Sequence, residues 1–584
     1  MGEIERQEPR FTRDGQGMVR RDGRIYVLHL QGSDDEMARQ HGELLGPEIR
    51  AGVMPLMARF LGEQVRDDTD LTSRLLSTFG SAAIDLLSLV LARNTPRELR
   101  RAFHEVARAA GVPVRSADLA LAVPDTMLFL FGVMDRVLRA GHALPSLGLR
   151  RAGFGCCGAI ALPEITSSGH LLHGRNMDYD GIGHFDRYPT VAFCRPTRGQ
   201  PYAWIASAGV HTSALTSMNA SGVFLGSNTS PTTDVSLRGM PFFAVNELAI
   251  RQARNLGEAV DLLGTRRAVS GYNVHLSHGP SGDAVVVEYA YSRQRIRTPE
   301  DGYLVATNHF VDPEMAATIP KLTIVDTANT RGRYARLMSR LAESRGRVTV
   351  ELLIDCLRDG VEHATGERHP LGDVVCNYLN LTSVVADVTA GRFFATADPA
   401  PAALGRYVSF DLAAELDAFG QPRSYPLETV APAPVAGTPA MRGIRAYMEA
   451  HAALSYHGDP AQALGHVAQA RSHCPDEPRI ALTQGLLALK QNRTEEAAQH
   501  AREYLELTPP GDPRRYRAWL VLAWCADLRH ARAEAAEHLT RASGEDPGLD
   551  DAALELETWR RRPFTERDRR RMHVELFNGK RLLF

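Results

Sequence analysis

Two adjacent thiols, Cys156 and Cys157, lie in the run Gly153-Phe-Gly-Cys-Cys-Gly-Ala-Ile-Ala161. After a turn at Thr166-Ser-Ser-Gly169 comes His170-Leu-Leu-His-Gly-Arg-Asn-Met-Asp178. Both stretches read as strands joined in a hairpin. A hairpin returns the end of its second strand to the start of its first. Cys156 or Cys157 is therefore expected beside Arg175 and Asp178. A thiol next to a guanidinium and a carboxylate suits an activated nucleophile, because the cation favours the thiolate and the carboxylate can hold an amine. The plainer reading makes both cysteines small core residues, since free Cys packs as a small hydrophobe. Arg175 and Asp178 weigh against it, because nothing apolar explains them at a strand end.

The elements that must position these residues follow from periodicity. Residues 1–23 are polar and rich in Arg, Asp and Gly, and read as a flexible N-terminus. Arg24-Ile-Tyr-Val-Leu-His-Leu30 alternates as a strand does. Ser33 and Glu36 have the spacing of a capping box, so a helix is expected to start there. From 34 to 145 the pattern is mostly helical, broken by Pro96, Pro113 and Pro124. From about 153 to 310 short strand-like runs alternate with Gly, Asn, Ser and Pro turns. Helices are expected near 243–254, 256–263, 331–343 and 350–357, and a last strand pair at 381–387 and 392–395. This order predicts an α+β layered architecture. The stretch Val430-Ala-Pro-Ala-Pro-Val-Ala-Gly-Thr-Pro439 reads as a linker, bounded at 430–440. Beyond it Ala-rich helices end in similar turns, and Cys474-Pro-Asp-Glu-Pro478 and Thr508-Pro-Pro-Gly-Asp-Pro513 begin 34 residues apart. That period resembles tetratricopeptide repeats over 441–562, which would recruit a protein partner. A generic helical hairpin domain is the alternative. Residues 563–584 read as a basic, solvated tail.

Composition narrows the function classes. The 584 residues carry 67 Lys+Arg against 69 Asp+Glu, a formal charge of −2, so no basic excess points to nucleic acid. About 44% of residues are apolar, yet no run of about 20 suggests a membrane span. Seven cysteines, none in a CxxC pair, fit a reducing, cytoplasmic setting, and no secretory h-region is read at the N-terminus. No phosphate-binding or dinucleotide fingerprint occurs. His170 and His173 lack metal-ligand spacing and read as solvent-facing strand residues. Asp178, Asp180 and Asp186 read as a loop face. No cofactor or metal is expected.

Several motifs, in order, resemble the penicillin acyltransferase-type (peptidase family C45) branch of the N-terminal-nucleophile (Ntn) hydrolases. They are His41-Gly42, Gly155-Cys156 with Gly158, Gly174-Arg-Asn-Met-Asp178, Met218-Asn219 to Gly222 with Gly226-Ser-Asn228, Ala306-Thr-Asn-His309, and Thr330 with Arg333. The resemblance spans roughly 24–420. It implies a four-layer αββα sandwich over 156–429, a helical pro-region over 24–155, and autocatalytic cleavage of the Gly155–Cys156 bond. The freed α-amino group then serves as base for its own thiol. Their reference pKa values, about 7.7 and about 8.5, make proton sharing near neutral pH sensible. By resemblance Asp178 holds that amine, Arg175 stabilises the thiolate, Asn228 donates to the oxyanion, Asn308 positions the amine and Arg333 completes the charge network.

Cys157 stands where the family has Ser or Thr, which leaves the register between Cys156 and Cys157 open. Cys156 is the better fit, and Cys157 would then face the other side of the strand. The implied activity is hydrolysis or transfer at linear amide C–N bonds of a small acyl substrate, through a thioester. Leu and Phe residues near 120–138 are expected to cover the acyl pocket. Two other readings stay open: a repeat scaffold with an inactive Ntn-like domain, and a hydrolase that works uncleaved.

Overall fold

The computed structural model describes residues 6–56, 84–139, 155–320, 327–418, 425–435, 437–545, 550–574, 576 and 581–582. Gly153, Phe154 and residues 57–83 of the expected pro-region lie outside them, as do several residues of the tail. In chain order the larger strands are β1 (Arg6–Phe11), β2 (Met18–Asp22), β3 (Ile25–Gly32), β4 (Cys157–Ala161), β5 (Leu172–Asp178), β6 (Pro189–Pro196), β7 (Tyr202–Ser207), β8 (Thr216–Asn219), β9 (Val223–Thr229), β10 (Tyr272–His278), β11 (Asp283–Tyr289), β12 (Gln294–Arg297), β13 (Tyr303–Ala306), β14 (Asn380–Asp387), β15 (Arg392–Thr396), β16 (Tyr407–Asp411) and β17 (Thr429–Val430). They form a ten-stranded sheet, ordered β1-β2-β3-β6-β7-β8-β9-β10-β11-β12, and a seven-stranded sheet, ordered β13-β4-β5-β14-β15-β16-β17.

Alternation along the strands builds the interior. Val27, Phe193, Ile205 and Phe224 of the larger sheet share one apolar cluster with Ile160, Val384, Phe393 and Phe410 of the smaller. The two sheets thus face each other through every second side chain. The other faces carry helices. On the larger sheet, α1 (Asp34–Ala51) lies over β3, and α2 (Arg97–Ala110) and α3 (Val114–Arg139) extend that layer. There α4 (Phe242–Gln252) covers β8 and β9, and α5 (Leu256–Gly264) covers β10 and β11. On the smaller sheet, α6 (Thr327–Glu343) packs on β13 and β4, and α7 (Val350–Leu357) on β5 and β14.

Local rules explain the element ends. Ser33 accepts from the Glu36 N–H and the Glu36 carboxylate accepts in return, the expected capping box. Helix α1 then bends at Leu45 ahead of Pro47. Helix α3 is apolar and long enough to cross a membrane over Val114–Val137, but 72% of its 18-residue apolar window is buried inside the protein. The expected flexible N-terminus is corrected: residues 6–22 form β1 and β2, which pair antiparallel beside β3. Met18, Val19 and Asp22 of β2 are buried, and the polar composition of the segment concealed it. Strand β16 also lies beyond the last strand pair that periodicity predicted.

Past residue 438 the described chain is almost wholly helical: α8 (Pro439–Ser455), α9 (Pro460–His473), α10 (Pro478–Lys490), α11 (Thr494–Leu507), α12 (Tyr516–Leu528), α13 (Arg532–Gly544), α14 (Asp550–Arg561) and α15 (Glu566–Arg571). Neighbours pack as consecutive pairs. Asp459 and Glu477 cap helices whose first residue is Pro, so the turn motifs of the sequence are helix starts. The tail is not a solvated end. Phe564, Met572, Val574 and Leu576 are buried, and the Tyr447 hydroxyl donates to the Leu576 carbonyl at 2.8 Å. Phe564 packs on Trp524 of α12 and Trp559 of α14, and the segment after the arginines lies against α10.

Candidate active site

The β4–β5 hairpin forms in the expected register, pairing Cys157 with Asn176 and Gly158 with Arg175. Strand alternation then separates the two thiols. Cys156 lines a pocket together with Arg175 and Asp178. Cys157 joins the cluster built on the opposite face with Leu337, Leu353 and Leu357 of α6 and α7. Burial pushes the Cys157 thiol up to about 12. Burial also raises Cys156, but there Arg175 pulls it back down, and Arg333 adds to that pull. The Cys156 thiol lies 3.6 Å from the Asp178 carbonyl oxygen.

Each remaining motif residue has a defined partner. Arg175 is fully buried; it donates to the Thr216 hydroxyl and, at 2.7 Å, to the Ser227 carbonyl. Asp178 accepts from the side-chain amides of Asn377 and Asn380, the latter at 2.7 Å. Burial pushes its carboxyl up to about 7, against the pull of Arg333. Arg333, completely buried, donates to the Cys156 carbonyl at 2.8 Å, to the Asn308 side-chain oxygen at 2.9 Å and to the Asn329 side-chain oxygen at 2.8 Å. The Asn308 amide donates to the Thr229 carbonyl at 3.0 Å, and Thr229 lines the pocket. The Asn228 amide donates to the Ala306 carbonyl at 3.1 Å, and Asn228 is not among the lining residues. The same amide nitrogen carries a second N–H beyond the one bound to Ala306.

Gly155 explains itself sterically. A Cβ there would stand 2.7 Å from the Asn377 amide nitrogen and 2.9 Å from the Asp178 carboxylate. Only glycine lets the residue before Cys156 lie against that carboxylate. Gly158 and Gly226 similarly flank the His275 ring, with no room for a side chain at either position.

The pocket has a cavity volume of about 120 Å³. Away from Cys156 its walls are apolar: Val53, Met54, Phe103, Met177, Phe185, Val210, Leu215, Phe242 and Phe243. The Leu and Phe side chains of 120–138 that were expected to cover the pocket do not line it; that segment contributes Ala120 and Pro124 instead. His41 shows what the His-Gly pair does. Its Nε2 accepts from the Gly209 N–H at 3.1 Å and its Nδ1 meets His211 at 3.1 Å, fixing the loop whose Gly209 and Val210 line the pocket. Gly42 lets α2 approach, since a Cβ would stand 2.5 Å from the Val106 carbonyl.

Other expectations change. His173 is fully buried between the sheets, with Nδ1 2.7 Å from the Ser277 hydroxyl and Nε2 2.6 Å from His275, and does not face solvent. His170 stays partly exposed and pairs with Asp387 at 2.9 Å. Asp186 is buried, its carboxylate accepting from the Gly183 and Ala400 N–H groups, so it is not a loop face. The residues missed were Asn377, Asn380, Thr216 and Asn329. Asn377 and Asn380 stood in the sequence as Cys376-Asn-Tyr-Leu-Asn380, a polar pair just before a strand.

The central part of the chain is similar to known proteins. Residues 165–365 match the model of the family described as acyl-coenzyme A:6-aminopenicillanic acid acyl-transferase. That segment holds Arg175, Asp178, Asn228, Asn308 and Arg333, and starts just after Cys156. An uncharacterized protein of Archaeoglobus fulgidus is 25% identical over 353 residues, covering 56% of this chain. The match spans 56% of that relative, a little over half its length. Penicillin V acylase from Agrobacterium tumefaciens superposes with a TM-score of 0.32 and 15% identity, over 47% of this chain and 90% of that one. The family match covers the central segment, and the C-terminal helices lie outside it.

Proposed function

We propose that this chain is a self-processing cysteine hydrolase or acyltransferase of linear amides, with its two sheets and outer helices forming the αββα Ntn sandwich. One observation carries the reading: Cys156, preceded by a glycine pressed against the Asp178 carboxylate, opens into an apolar pocket beside Arg175. In the first step the Cys156 thiol adds to the Gly155 carbonyl and gives up its proton. The C–N bond breaks, the acyl group passes from nitrogen to sulfur, and the nitrogen takes up the proton the thiol gave up, becoming the new amine. Water then hydrolyses the thioester, leaving a Gly155 carboxylate and a free Cys156 thiol.

In turnover the freed amine takes the thiol proton, and Asp178 is placed to hold the resulting ammonium. The thiolate attacks the substrate carbonyl, the amine product leaves with the proton, and the acyl-enzyme passes to water or to a second amine. Arg175 balances the thiolate charge. Arg333 fixes the Cys156 carbonyl and Asn308 together. An oxyanion donor, the role read for Asn228, is worth about 3 kcal/mol in such a site. The apolar walls favour an uncharged, bulky acyl group. The seven free cysteines accord with a reducing, cytoplasmic setting.

Intact mass spectrometry of the wild type beside Cys156→Ala tests the reading. The wild type is expected as two fragments, the second beginning at Cys156, and the variant as a full-length chain. A wild type that stays whole under native, reducing conditions overturns self-processing. A cut one residue later moves the nucleophile to Cys157.

A further inference from the structure

The C-terminal helices, outside the family match, reach the candidate site through two chains of polar contacts. The first begins on α10. Arg479 donates to the Asp373 carboxylate at 2.9 Å, and the Asn329 amide donates to the same oxygen at 3.1 Å. The Asn329 side-chain oxygen accepts from Arg333, which holds the Cys156 carbonyl. All of these side chains are buried. Arg514 reinforces the start of the chain, lying 3.5 Å from Asp373 and pairing with both oxygens of Glu362.

The second begins on α8. His451 Nε2 and the Tyr456 hydroxyl meet one oxygen of Asp180, at 2.8 and 2.9 Å. His451 Nδ1 lies 3.2 Å from the Tyr378 hydroxyl. Asp180 is two residues past Asp178, and Tyr378 adjoins Asn377, whose amide holds Asp178. The Tyr179 N–H also donates to the Leu379 carbonyl, tying the two loops together.

We propose that the C-terminal helices are part of the catalytic apparatus, with Arg479 a positioning residue that orients Arg333 through Asp373 and Asn329. The inference rests on the reading of Cys156 as nucleophile. A planar guanidinium has few orientations that serve three acceptors at once, so removing the far support frees Arg333 to rotate. Arg333 then shifts off the Cys156 carbonyl, and the Cys156 thiolate loses part of the positive field that Arg333 supplies.

The experiment compares Arg479→Met, Arg479→Lys and the double variant Arg479→Met/Asp373→Asn with wild type in the full chain. The double variant leaves no lone buried charge, which guards against a misfolded single variant. Arg532→Met, which breaks a pairing with Asp527 elsewhere in the same helices, is the control for stability alone. The readouts are the melting temperature, the rate of cleavage at Gly155–Cys156, and the pH profile of Cys156 alkylation by iodoacetamide, mapped by peptide mass.

Loss of Arg479 is expected to slow cleavage about 10- to 100-fold. It should also move the alkylation midpoint to higher pH, cutting the rate near neutrality about 3- to 10-fold. Arg479→Lys should recover part of both, and Arg532→Met should lower the melting temperature alone. A wild-type profile in the double variant overturns the proposal, and so does an equal shift in Arg532→Met. A wild type that never cleaves would defeat self-processing, while the alkylation profile would still decide whether Arg479 acts on Cys156.

Discussion

Strand β4 has two faces, and its neighbouring cysteines divide between them. Cys157 meets the aliphatic cluster under α6 and α7, where burial pushes its thiol up to about 12. Cys156 is as deeply enclosed, yet it opens on a pocket with Arg175 beside it and Arg333 on its carbonyl. The residue type is the same and both thiols are buried; what differs is the pocket in front of Cys156 and the Arg175 charge beside it. Reactivity at this strand therefore depends on the neighbouring strands and helices, and the thiol alone does not confer it.

The sharpest way to break the comparison is to remove each thiol in turn. Cys156→Ala is expected to abolish self-cleavage and to cut turnover of an apolar acyl amide by about 10⁵-fold or more. Cys157→Ala should stay within a few-fold of wild type, measured by intact mass and product release. Next come two arginines one turn apart on α6. Arg333→Met should slow cleavage by about 10²- to 10³-fold, an effect of the size of losing a preorganised donor. Arg336→Met, which disturbs only a pair with Asp359 at 2.8 Å, should leave the rate near wild type.

The Asp178 carboxyl, raised to about 7 by burial, gives a pH signature. The unfolded chain releases this proton near pH 4 and the folded chain near 7, so its contribution to stability falls as pH rises through that window. In a Cys156→Ala background, Asp178→Asn should therefore gain stability relative to its parent between pH 4 and 7, read by denaturant titration. A gap that does not change with pH would contradict the raised carboxyl. The smallest effect separates two glycines on the β4–β5 hairpin. Gly158→Ala forces a Cβ to within 2.6 Å of the His275 ring and should cost about 1–3 kcal/mol. Gly174→Ala, whose nearest neighbour is a Leu357 methyl at 3.1 Å, should cost less.

Much of this was legible in the chain. The capping box at Ser33, the strand β3, the β4–β5 hairpin and helices α4, α5, α6 and α7 all follow from periodicity and caps within a dozen residues. The Gly-Arg-Asn-x-Asp motif correctly marked a strand end beside the cysteines. The misses have a common cause. Asp178 depends on Asn377, 199 positions away, because β5 pairs with β14 and brings that loop across. Residues 6–22 and the tail looked solvated because their composition is polar, and their apolar residues found cover only on distant elements. His173 looked like a surface residue until the second sheet closed over it.

What the sequence alone determined is local: which segments are helix or strand, where they start, and that a thiol, a guanidinium and a carboxylate share one hairpin. Backbone hydrogen bonding and side-chain alternation act over a few residues, so a short window contains them. Only the tertiary structure decided which cysteine faces the pocket, what neutralises Asp178, and that Arg479 of a separate helical region stands behind Arg333. Those contacts exist because two sheets and a set of helices exclude water together. In that interior a buried charge must find its partner wherever the chain can deliver one.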